Sequence, residues 1–98
     1  MMLPTGTLTF LRTDIEGSMR LVRALGPRYD ELDAVHRTIV RAAIDAEGGT
    51  VVRTEGDAFF AVYADAAAAA RTAVAIVRAI DGHAWPAEHP VRVRVGLH

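Results

Sequence analysis

Two short stretches of this chain carry residues that could do chemistry together: Thr13-Asp14-Ile15-Glu16-Gly17-Ser18 and Glu55-Gly56-Asp57-Ala58-Phe59-Phe60. Each places one aspartate at a strand end or a tight turn. Two carboxylates brought to one spot repel, and one takes up a proton unless a cation compensates. Mg²⁺ or Mn²⁺ is the usual compensator, held by one or two carboxylates together with substrate phosphates. The Ile15 carbonyl can add a ligand. The amides of Glu16, Gly17 and Ser18 open a helix, and helix N-termini attract phosphate. The same residues also fit plain structural roles. Thr13-x-x-Glu16 has the spacing of a capping box, Asp14 can cap the helix, and Gly56-Asp57 is an ordinary hairpin dipeptide. Spacing alone leaves both readings open.

Bringing the two stretches together is the task of the surrounding elements. Residues Thr7 to Asp14 read as a strand, with Leu8 and Phe10 on one side and Thr9 and Leu11 on the other. Arg12 shares a face with Phe10 and Asp14. Glu16 to Leu25 reads as a helix that Gly26-Pro27 interrupts, and Arg28 to Glu47 continues as a second helical stretch. Its apolar stripe is predicted as Leu32, Val35, Ile39 and Ala43, and Gly48-Gly49 ends it. Thr50 to Glu55 is a second strand, Gly56-Asp57 a two-residue hairpin, and Ala58 to Ala64 a third strand. Asp65 caps a helix to about Ile80, with Ala70, Val74, Val77 and Ile80 as its predicted buried stripe. Gly82 to Pro90 is a loop in which Trp85 is the expected anchor on the core. Val91 to His98 is a fourth strand, alternating Val91, Val93 and Val95 with Arg92 and Arg94, and the arginines are expected on a solvated or dimer-facing side.

This order, β-α-β-β-α-β, is the ferredoxin-like pattern of an α+β fold, an antiparallel sheet with helices on one face. In that topology the first strand lies between the third and fourth and antiparallel to the third. The end of the first strand then meets the start of the third. Asp14 and Asp57, more than forty residues apart in sequence, come into near contact.

Composition narrows the function classes. With 98 residues the chain is one small domain or part of one, and at 51% apolar it is not disordered. A net charge of -1, with all eleven basic residues arginines spread along the chain, gives no nucleic-acid footprint. The absence of cysteine excludes disulfides, thiolate metal sites and a cysteine nucleophile, and fits a cytoplasmic location. Residues Met1 to Gly6 do not read as a signal peptide, and the Ala-rich stretch is broken by charges, so no membrane segment is expected. The four histidines, His36, His83, His89 and His98, have no metal-ligand spacing and are assigned ordinary roles. The last residues lie in a strand with no closing turn, which leads us to expect a partial domain.

At the residues quoted above the chain resembles a known family. Gly6-Thr7-Leu8-Thr9-Phe10-Leu11 followed by Thr13-Asp14-Ile15-Glu16-Gly17-Ser18 is similar to the opening of class III adenylate/guanylate cyclase catalytic domains, particularly bacterial ones. Gly48-Gly49, Arg53-Thr54-Glu55-Gly56-Asp57-Ala58-Phe59-Phe60 and Arg94-Val95-Gly96-Leu97-His98 match further family segments in order. The resemblance runs over nearly all of residues 1–98 and over about the first half of the family's domain, so it implies a truncated nucleotidyl cyclase domain. It implies that Asp14 and Asp57 bind two Mg²⁺ or Mn²⁺ ions, with Ile15 contributing its carbonyl. It implies a homodimer that converts ATP to cyclic AMP and pyrophosphate at a site shared between subunits. Glu16, Gly17 and Ser18 would meet the nucleotide's phosphates.

Departures from the pattern bear on this expectation. Arg53 stands where adenylate cyclases of this family commonly have a base-recognising Lys, and a guanylate cyclase would show Glu there. Arg12 replaces a frequent aromatic residue and can neutralise Asp14, while Met19 replaces a commoner Thr. The family's transition-state Asn and Arg fall beyond the last strand, so no catalytic residue other than the metal ligands is assigned, and the fragment alone is expected to lack full activity. The alternative is a degenerate cyclase-homology domain that dimerises or senses nucleotide. A third reading is an unrelated ferredoxin-like interaction domain. The Gly-Gly-Asp-Glu-Phe signature of diguanylate cyclases is absent.

Overall fold

A computed structural model of the chain describes residues 6–98. The expectation about a leader at Met1 to Thr5 lies outside the described residues. The elements are β1 (Thr9–Ile15), α1 (Ser18–Leu25), a 3-10 turn (Gly26–Arg28), α2 (Tyr29–Ala46), β2 (Thr50–Glu55), β3 (Ala58–Tyr63), α3 (Ala66–Gly82) and β4 (Val93–Leu97). The sheet order is β2-β3-β1-β4, every neighbouring pair antiparallel, as the β-α-β-β-α-β order predicts. The helices cover one face. Leu11 and Ile15 of β1, with Phe59, Ala61 and Tyr63 of β3, form a core cluster with Leu32, Val40, Ile44, Ile76 and Ile80 of the helices. Phe10 and Arg12 sit on the opposite face, uncovered.

Local chemistry sets the ends of these elements. The Asp65 carboxylate accepts from the Ala67 amide at 2.9 Å, the expected N-cap of α3. Helix α2 closes in a Schellman turn: Gly48, at φ 74, donates to the Asp45 carbonyl at 3.1 Å and Gly49 to the Ile44 carbonyl at 3.0 Å. Trp85 Nε1 donates to the Ile80 carbonyl at 2.7 Å, anchoring the α3–β4 loop on the core as expected.

Two helical stripes differ from the sequence reading. On α2 the buried line is Leu32, His36, Val40 and Ile44, while Val35 is exposed. A stripe counted on apolar letters steps around the buried histidine and lands one position away. On α3 the buried residues are Ala68, Ala69, Thr72, Ile76 and Ile80, while Val74 and Val77 are exposed. That helix is apolar on both sides, so periodicity has two solutions. A hydrogen bond from Tyr63 Oη to Thr72 Oγ1 at 2.9 Å accompanies the face that is buried.

Candidate functional site

The site grows from the end of β1. Antiparallel pairing alternates hydrogen-bonded and non-bonded residue pairs. Phe10 exchanges both backbone bonds with His98, and Glu16 donates to the Arg92 carbonyl at 2.8 Å, so even-numbered residues of β1 bond to the β4 side. Ile15 therefore turns its backbone groups toward β3 and the hairpin. Its amide donates to Asp57 Oδ2 at 2.5 Å. A side chain from the Gly56-Asp57 turn thus extends the ladder beyond Thr13↔Phe59, the last residue pair between β1 and β3. Gly56 has φ 56, while among the described residues no non-glycine residue has positive φ, which suits a two-residue turn with glycine first.

Asp14 stands next to Ile15 but on the open face, opposite Arg94 of β4. Arg94 donates through Nε to Oδ1 at 2.8 Å and through Nη2 to Oδ2 at 3.0 Å, and Arg12 Nη1 donates to Oδ2 at 2.8 Å. Burial alone would raise the Asp14 carboxyl, but the hydrogen bonds and charges of Arg94 and Arg12 together hold it below the usual carboxylate range. Arg94 lies on the solvated side of its strand, as expected, and from there also pairs with Asp14. It was legible only as one of two alternating arginines, because the register that sets it against Asp14 is tertiary. The Arg12 pairing is as the sequence suggested.

The turn after β1 is not a capping box. Helix α1 starts at Ser18 with Gly17 as N-cap at φ 67 and no side-chain cap bond. Thr13 is a buried strand residue, and its Oγ1 has no partner among the described residues. Of the three amides expected at the helix opening, that of Glu16 is committed to the sheet. Arg20 folds back over Gly17: a Cβ there would lie 2.7 Å from Arg20 Nη2. No motif in the sequence marks this cation for the turn, although side chains in a first helical turn lean toward the N-terminus. Beside it opens a cleft of about 520 Å³ lined by Glu16, Arg20, His89 and Arg92 among others. A second, of about 530 Å³, lies on the open face around Arg12, Asp14, Arg94 and His98. Asp57 lines neither.

Arg53 reaches the open face through a β-bulge. The pairing jumps from Val51↔Ala61 to Arg53↔Phe60, which leaves Val52 as the extra residue and turns Arg53 to the side that carries Phe60 and Arg12. The Arg53 guanidinium lies 4.3 Å from the Phe60 ring centre and Arg12 lies 5.6 Å from it. Arg53 also stands 3.8 Å from Glu55, both exposed.

The fold that carries these residues superposes on solved cyclase domains. An adenylate cyclase of Trypanosoma brucei, in its monomeric state, matches with TM-score 0.86 at 22% identity, over 93% of this chain and 55% of that one. A bacterial light-regulated adenylyl cyclase matches with TM-score 0.82 at 24% identity, over 92% and 51%. The guanylate cyclase domain of Catenaria anguillulae in complex with GTP matches with TM-score 0.77 at 19% identity, over 92% and 54%. The chain has the nucleotidyl cyclase fold. It spans about half of those cyclase chains. Among curated proteins it is 35% identical over 97 residues to an uncharacterized protein of Mycobacterium tuberculosis, covering 97% of this chain and 32% of the relative, and to a Mycobacterium bovis counterpart to the same extent. The chain therefore spans about a third of the curated relatives it matches. No protein-family model matches. Among the described residues of this cyclase-like domain, no helix is long and apolar enough to cross a membrane.

Proposed function

We propose that residues 1–98 form part of a metal-dependent nucleotidyl cyclase domain that converts ATP to cyclic AMP and pyrophosphate as a homodimer in the cytoplasm. The observation that carries this reading is the Asp57 Oδ2 to Ile15 amide contact, which joins the hairpin aspartate to the residue beside Asp14. The donors are hard oxygens: the Asp57 and Asp14 carboxylates and the Ile15 carbonyl, which the ladder turns toward the hairpin. That set suits Mg²⁺ or Mn²⁺. Among the described residues no group of three or more His, Asp, Glu or Cys side chains could hold a metal ion, so nucleotide phosphates would complete the coordination. Bound there, two ions would lower the pKa of the attacking ribose hydroxyl and stabilise the leaving pyrophosphate.

The chain's own residues do the positioning. Asp57 is held by a backbone amide, so its carboxylate is oriented before any ligand arrives. Arg12 and Arg94 keep Asp14 ionised. The helix-opening amides of Gly17 and Ser18, with Arg20 folded over the turn, favour phosphate oxygens; Glu16 adds its side chain to the cleft beside them. Arg53, stacked on Phe60, offers a fork of donors to a purine ring acceptor such as adenine N1. The uncovered face around Phe10 and Phe60 suits pairing with a second copy.

A second reading rests on one specific observation. Two guanidiniums already neutralise Asp14, which favours a cyclase-homology module that dimerises or senses nucleotide without turnover. The test is Mn²⁺-dependent ATP binding and cyclisation by a full-length protein carrying this segment. The cyclase reading expects Mn²⁺-dependent cyclic AMP formation and its loss in Asp57→Ala. Normal cyclisation by Asp57→Ala would remove the metal assignment. ATP binding without turnover would establish the second reading.

A further inference from the structure

The hairpin that carries Asp57 is exposed on a two-residue turn, yet its aspartate must meet the Ile15 amide. Helix α2 holds it from the side. Asp33 Oδ2 accepts from Arg37 Nε at 2.9 Å, and Asp33 Oδ1 lies 3.2 Å from Nδ1 of the buried His36. Arg37, its guanidinium thus fixed, donates through Nη2 to the Gly56 carbonyl, the residue before Asp57. The same edge of α2 surrounds Phe59, two residues beyond Asp57. His36 meets the Phe59 ring edge-on at 6.1 Å, and Arg37 and Arg41 lie 5.8 Å and 5.4 Å from its centre.

We propose that Arg37, locked by Asp33, is a positioning residue that latches the β2–β3 turn to α2 and so aims Asp57 at Ile15. The proposal rests on the cyclase reading for its consequence, the orientation of a metal-binding carboxylate, and on geometry alone for the latch itself. A guanidinium suits the task because its planar fork engages a carboxylate and a carbonyl at once, which a single ammonium does less well. Arg41 provides an internal control. It packs on the same ring but makes no bond to the turn.

The test combines amide hydrogen exchange of the 98-residue chain with Mn²⁺ titration, in the presence of ATP, of the full-length protein that carries it, followed by electron paramagnetic resonance. Arg37→Ala is expected to speed exchange of the Ile15 amide at least tenfold while amides in the centre of β3 keep their protection. It is also expected to weaken Mn²⁺ binding about tenfold, with no further loss when added to Asp57→Ala. Asp33→Asn, which keeps the shape, should show a smaller change in the same direction and serves if Arg37→Ala does not fold. Arg41→Ala should leave both readings within about twofold of wild type. Unchanged Ile15 exchange in both Arg37→Ala and Asp33→Asn, or an equal change in Arg41→Ala, overturns the latch. Faster Ile15 exchange, with a full-length wild type that binds no Mn²⁺ even with ATP present, supports the latch and overturns the cyclase reading instead.

Discussion

Asp14 is a carboxylate with its charge already answered. Arg94 grips it in two bonds and Arg12 in a third, so any cation that takes Asp14 competes with guanidiniums. If Asp14 is a metal ligand, as proposed, removing one competitor should help the cation bind. Arg94→Gln is expected to tighten Mn²⁺ binding roughly tenfold, in line with the effect of one adjacent charge on a carboxylate. Isothermal titration would show it, and weaker binding would mean that Arg94 supports the site. Arg12 was legible as a neutralising residue because it lies two positions away on one strand, hence on one face. Arg94, eighty positions away, became a partner only through the β1–β4 register.

Elements carry two further expectations. The loop after α2 passes so close to β3 that a Cβ on Gly49 would lie 2.5 Å from the Tyr63 ring, a side chain buried and tied to Thr72. Gly49→Ala should destabilise the chain by about 1–3 kcal/mol in urea denaturation, the range for forcing extra volume into a packed site. At the start of α3, Asp65→Ala loses the bond to the Ala67 amide and should cost about 1 kcal/mol in the same assay. The Asp65 cap was readable because capping is a local rule. Gly49 was readable as a helix stop, while its clearance for Tyr63 was not, since that contact joins two elements.

Stability of the whole molecule should depend on pH through His36. Burial lowers its pKa below 6.5, against the opposing hydrogen bond and charge of Asp33, the charge of Asp57 raising it further and that of Arg37 lowering it. The unfolded chain then binds a proton more readily than the folded one. Stability is fully present above pH 6.5 and falls as the pH drops through that value toward the folded pKa. Urea midpoints should decline between pH 7.5 and pH 5, and His36→Leu should flatten that part of the slope. A wild-type profile that is level there would contradict a neutral, buried His36.

Sequence alone determined the element order, the strand order it implies, and the meeting of the Asp57 turn with the end of β1. These follow from local rules of periodicity, capping and turns, combined with one topology that allows few alternatives. Tertiary structure decided which face of each helix is buried. On α3 both faces are apolar, and on α2 a histidine interrupts the stripe. It also decided where Arg53 points. An uninterrupted β2 would send Val51 and Arg53 to the same side, and the extra Val52 reverses that, so the one residue expected to read a base faces Phe60 rather than the core. A bulge depends on how two strands fit each other, and that fit is not written in either strand by itself.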